Sequence, residues 1–127
     1  MFRLFDMLGK STAMRALDDA FRAVGLHPLQ IPEPVKLTVI QLTRRQVDDH
    51  NRDAMLAHSA KLMGYCMLGA EHFTETNSAA ETALQDARFE DALEAGDTFD
   101  AKLVLLALHA DLIAPDIADR IDMDDLP

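Results

Sequence analysis

Apolar residues recur along this chain at helical rather than strand spacing, and that pattern predicts its elements. The densest stretch is 98–114, TFDAKLVLLALHADLIA, where only Asp100, Lys102, His109 and Asp111 are polar beyond Phe99. At about 100° per residue, Lys102 and His109 fall on one side and Asp100 and Asp111 on another, so no single wet stripe results. The pattern predicts a buried central helix over 98–114, capped by Asp97 or Thr98 and stopped by Pro115.

The rest of the chain reads in order. Phe2, Phe5 and Leu8 are spaced as one side of a short helix over 1–8, either tucked onto the core or offered to a partner. Ser11 opens the next helix, with Met14, Leu17, Phe21 and Val24 on one face and Gly25 as its stop. The proline-rich connector 26–34 is expected to be extended, with Leu29 and Ile31 pointing inward and Pro34 starting the following helix. Residues 35–47 fit both a strand alternation and a helical face. A helix is preferred, because a strand would find no pairing partner elsewhere in the chain.

A polar run over 44–53 leads into a second core helix, 51–68, with Leu56, Ala60, Met63 and Met67 on one stripe and Gly69 as its C′ residue. Residues 70–76 read as a turn or helical coil. Ser78 and Glu81 have capping-box spacing and open a helix over 79–95, which Gly96 ends. That helix is two-sided: Ala80, Ala83, Leu84 and Ala87 share one face, whereas Phe89, Ala92 and Leu93 lie nearly opposite. Either it breaks near 86–88 or both of its faces are covered. Residues 115–121 form one more short helix, and 122–127 is an acidic tail expected to fray.

These elements predict an all-α fold, one compact domain over 1–127 with about five to seven helices around one buried central helix. Composition agrees: 49% of the 127 residues are hydrophobic and there is no Trp, which leaves a core rich in Ala, Leu and Met. The single Cys, Cys66, excludes an intramolecular disulfide, and 1–10 lack a secretory pattern, so a cytoplasmic protein is expected. No apolar run approaches the roughly 18–20 residues of a membrane span.

The net charge of −10 is unevenly distributed, with 1–50 near neutral and 51–127 strongly acidic. Such a field disfavours nucleic acid and anionic membranes as partners. The small basic group Arg44, Arg45 and Arg52 is interleaved with Asp48, Asp49 and Asp53, as on a solvated helix face.

Candidate chemistry is sparse. No phosphate loop, nucleophile elbow or paired-cysteine motif is present. His50, His58 and His72 do not form a metal-ligand constellation, so neither a metal nor another cofactor is expected. Cys66 reads as a core residue, and Lys102 with His109 as the wet edge of the central helix. A buried lysine with a depressed pKa would be a functional signal.

Two readings of function are open. The first is a non-enzymatic interaction module that forms a homodimer or binds a protein partner through Phe2, Phe5, Phe89, Leu93 and the two-sided helix 79–95. The second is a small-molecule binder or enzyme with an apolar pocket between 51–68 and 98–114, lined by His58, Met63, Tyr65, Met67 and His109. No catalytic residue is assigned under either.

Overall fold

The computed structural model describes residues 2–121, with side chains for 12–121. Among the described residues the chain is all-α with no strand. Six helices run in order: α1 (Phe2–Val24), α2 (Glu33–Gln46), α3 (Arg52–Thr76), α4 (Ala79–Glu94), α5 (Phe99–His109) and α6 (Pro115–Ala118). The backbone gathers into two units, Met1–Lys61 and Leu62–Pro127. The expected tail, 122–127, lies outside the described residues.

In the first unit, α1 is one helix that runs through Ser11 rather than starting there. Ala13, Leu17, Phe21 and Val24 bury one face at steps of four, four and three. The helix ends as Gly25 predicts. Gly25 takes φ 102°, Leu26 N–H donates to Phe21 O at 2.9 Å and Gly25 N–H to Arg22 O at 3.1 Å. Those two bonds are the Schellman pair, and Phe21 and Leu26, which flank it, are both buried.

The connector departs from expectation. A 3-10 turn over Pro28–Gln30 is capped by His27, whose Nδ1 accepts from Leu29 N–H at 3.1 Å while Gln30 Oε1 accepts from His27 N–H at 2.9 Å. In such a turn positions three apart eclipse. Pro28 and Ile31 therefore share the buried side, whereas Leu29, expected inward, is 86% exposed.

Residues 35–46 are helical: α2 packs on α1 and buries Val35, Val39 and Ile40. Lys36 is buried with them. Its Nζ donates to Asp18 Oδ1 of α1 at 3.0 Å and reaches Pro28 O at 3.4 Å, so one ammonium ties three segments together. Among the described residues the buried lysine is Lys36, while Lys102 is exposed.

In the second unit, α3 breaks where the sequence predicts. Gly69 sits at φ 84°, ψ 163°, backbone that essentially only glycine adopts. The helix resumes over 70–76, so this stretch is more ordered than the expected turn or coil. At the break the Cys66 carbonyl accepts from Ala114 N–H at 2.9 Å, which brings the chain leading into α6 against α3.

Helix α4 does not break near 86–88 and is not covered on both faces. Gln85, Phe89 and Ala92 are buried, whereas Ala80, Ala83, Leu84 and Ala87 are exposed. Burying a phenylalanine yields about 1.5–3 kcal/mol, so the Phe89 face outcompetes one built mainly of alanine.

The expected central helix is shorter and less buried than its pattern implies. Thr98 caps α5 through its Oγ1, which accepts from Ala101 N–H at 3.1 Å, but the helix ends at His109. Asp111 takes φ 59°, Leu112 N–H donates to Ala107 O at 3.0 Å and Asp111 N–H to Leu108 O at 3.1 Å, a second Schellman ending. Pro115 therefore starts α6 rather than stopping α5. Ala101, Leu103, Val104 and Ala107 are buried, while Leu105, Leu106 and Leu108 are half-buried. Within this unit, the helix against which α5 packs is α4.

Candidate functional site

Polar chemistry in the second unit converges on Arg120, just past α6, and the helices that meet it bring their groups by simple spacing. Tyr65 enters from α3 four residues before the Gly69 break. Asp86, Phe89 and Glu90 lie three and four apart on one side of α4. Beneath the guanidinium Tyr65 and Phe89 are fully buried, with ring centroids 6.1 Å apart, and Phe73 meets Tyr65 edge-on at 6.0 Å.

The Tyr65 hydroxyl donates to Asp86 Oδ1 at 2.5 Å and accepts from Arg120 Nη1 at 2.7 Å. Arg120 Nη1 also donates to Asp86 Oδ1 at 2.6 Å, Nη2 pairs with Glu90 Oε1, and the guanidinium carbon stands 4.9 Å from the Phe89 ring centroid. One arginine thus meets two carboxylates, a phenol and an aromatic face.

Each proton is held in place. Burial, reinforced by the hydrogen bond to Asp86, pushes the Tyr65 phenol up to about 12. The Tyr65 hydroxyl, and then Arg120, hold the Asp86 carboxyl below its ordinary range despite partial burial. Burial opposes the Arg120 charge, but Asp86 and Glu90 more than restore it, so its pKa is raised. Nearby, burial pushes the Cys66 thiol up to about 12, which makes it inert as a nucleophile near neutral pH. A neutral phenol, an anionic carboxylate and a cationic guanidinium form a clasp in which no group titrates near neutrality.

A second tie joins α4 to α5. Arg88 donates from Nε and Nη2 to the two oxygens of Asp100 at 3.0 and 2.8 Å, and from Nη1 to Gln85 Oε1 at 2.7 Å. Gln85 in turn donates to Glu81 Oε1 at 3.0 Å. The planar fork fixes the rotation of α4, because only a bidentate partner uses both of those nitrogens.

Of the residues singled out from sequence, the structure brings Tyr65 and Phe89 together. Met63 is buried, Met67 and Leu93 are half-buried, and His58 and His109 are not in the core. Phe2 and Phe5 lie in α1, and their side chains lie outside the described residues. Among the described residues no three His, Cys, Asp or Glu side chains gather as metal ligands.

Sequence reasoning missed Asp86, Arg88, Glu90, Asp100 and Arg120. The available signal was charge scarcity. Residues 62–127 hold fifteen acids and three bases, Arg88, Lys102 and Arg120, so each base had many possible acidic partners. No helix among the described residues is long and apolar enough to cross a membrane. Comparison of the chain with family models, curated proteins and solved structures found no match.

Proposed function

We propose that this chain is a non-enzymatic helical binding module whose outward α4 face receives a basic, amphipathic helix of a protein partner. The observation that carries the reading is the exposed stripe Ala80, Ala83, Leu84 and Ala87, in which Leu84 is 55% exposed. Small residues let a second helix axis approach closely, and one leucine between alanines gives that helix a knob to pack around.

The charge around the stripe selects the partner. Glu81, Asp91 and Glu94 border it, and the one base on α4, Arg88, is engaged by Asp100. A second copy would bring the same acidic border, so attraction favours a basic partner over self-association. The same field disfavours nucleic acid and anionic lipid.

Isothermal titration tests this with two designed peptides of identical Leu/Lys/Arg composition, one patterned as an amphipathic helix and one scrambled. Binding of the patterned peptide alone is expected, weakening with salt and falling at least tenfold in the charge-neutral variant Leu84→Gln. Equal binding of both peptides, or an unaffected Leu84→Gln, overturns the reading.

A further inference from the structure

We infer that residues 112–121 form a strap that closes over the Tyr65–Phe89 aromatic pair and opens as one unit about Asp111, with Arg120 as its latch. The inference is independent of the partner reading, since it concerns the opposite, inward face of α4.

Backbone bonds inside the segment are local, with the amides of Ile117 to Ile121 donating to carbonyls between Ala114 and Ala118. Its one helix, α6, has four residues, far below the length at which a helix sustains itself in water. At its start, Asp111 holds a left-handed φ of 59° and Leu112 N–H donates to Ala107 O, so the chain reverses there at the end of α5.

Its attachments are separable. Leu112 N–H donates to Ala107 O, Ala114 N–H meets the Cys66 carbonyl at the α3 break, the Asp116 carboxylate stands against Gly69, Ile117 and Ile121 are buried, and Arg120 makes the polar ties. Those ties lie at the water's edge: the Arg120 side chain is 32% exposed, Asp86 45% and Glu90 53%. Exposed ion pairs exchange readily with water, so the latch can open without exposing a charge in a dry core. The surface beneath is different in kind. Tyr65 and Phe89 are fully buried, and Arg120 covers the Phe89 ring directly. Releasing the strap would therefore uncover aromatic surface while the Arg88–Asp100 fork still holds α4 to α5. Such sub-global openings draw on the least-buried, least-bonded part of a fold.

Hydrogen–deuterium exchange on the intact chain tests this at the amides of Ala114 and of Ile117 to Ile121, which all donate hydrogen bonds in the closed strap. In Arg120→Gln those amides should exchange at least tenfold faster, while amides of α4 and α5 change less than about twofold. Glu90→Gln removes one tie and should give a smaller acceleration in the same amides, which keeps the test available if Arg120→Gln folds poorly. Tyr65 is the sole tyrosine in a chain without tryptophan, so collisional quenching of its fluorescence should rise in step with strap exchange. Acceleration spread evenly over 62–121 would show that the strap does not open by itself. Unchanged strap exchange in both variants would show that Arg120 is not its latch.

Discussion

Gly69 stands against the carboxylate of Asp116: a Cβ at position 69 would lie 2.8 Å from Asp116 Oδ1 and 2.9 Å from Oδ2. The same residue holds φ 84°, ψ 163°, so an L side chain there is strained even before it meets the carboxylate. Gly69→Ala is expected to destabilise the protein by about 2–3 kcal/mol, read as a shift of the urea midpoint. Gly96, with nothing within 4 Å of its own would-be Cβ, is the internal control. Gly96→Ala should stay within about half a kcal/mol of the parent. Equal effects at the two positions would mean that the α3 break does not need glycine.

Tyr65 can be titrated alone, since it is the only tyrosine. Its tyrosinate absorbance should rise with a midpoint near 12 rather than at the ordinary value near 10. The folded state holds this proton more tightly than the unfolded chain, so the contribution is complete below about pH 10 and is lost as pH rises from there towards 12. The buried Cys66 thiol, also pushed up to about 12, steepens that alkaline loss. Asp86 acts at the other end. Its folded pKa is lowered, so its contribution is present above the unfolded carboxyl value of about 3.9 and fades as pH falls through the lower folded value. A phenol midpoint near 10 would mean that Tyr65 is solvated.

Two leucines one turn apart on α5 should behave differently. Leu103 is fully buried, so Leu103→Ala is expected to cost about 2–5 kcal/mol. Leu106 is half-buried, and Leu106→Ala should cost well under half as much. Thermal or chemical unfolding of the pair decides it. Matching losses would restore α5 to the all-round burial that its sequence suggests.

Thr43 continues the buried stripe of Val35 and Val39 on α2, yet among the described residues its Oγ1 is buried without a hydrogen-bond partner. Replacing it with the near-isosteric valine removes a desolvated hydroxyl. Thr43→Val should therefore stabilise the chain by about 1 kcal/mol. A destabilised variant would show that the hydroxyl is satisfied in solution.

Legibility in the sequence depends on how far apart the deciding residues lie. Helix class over 35–47, the Gly25 ending, the Ser78 cap, the Thr98 cap and the break at Gly69 each depend on residues within about five positions of one another. Backbone conformation and capping act over that range, so a linear reading finds them. Two other local features carry signals that apolar spacing alone misreads. His27 and Gln30 specify a 3-10 turn that turns Leu29 outward. Asp111, one of the residue types that tolerates a left-handed φ, ends α5 before Pro115 is reached.

Choices between chemically similar faces needed the tertiary structure. The pattern of α4 showed two faces and could not rank them, because the winner depended on Tyr65, itself packed edge-on against Phe73, arriving from α3 to meet Phe89 and not Leu84. The candidate site depended on the fold in the same way. Tyr65 lies 21 residues from Asp86 and 55 from Arg120, and Arg120 lies 30 from Glu90. Among fifteen acids in 62–127, no local rule selects Asp86 and Glu90 for Arg120. By itself, the sequence determined helices and most of their ends, because those are settled by backbone hydrogen bonds between near neighbours. Which faces were buried and which charges met was decided by long-range packing, where burying the larger aromatic side chains outweighs the preferences of any single helix.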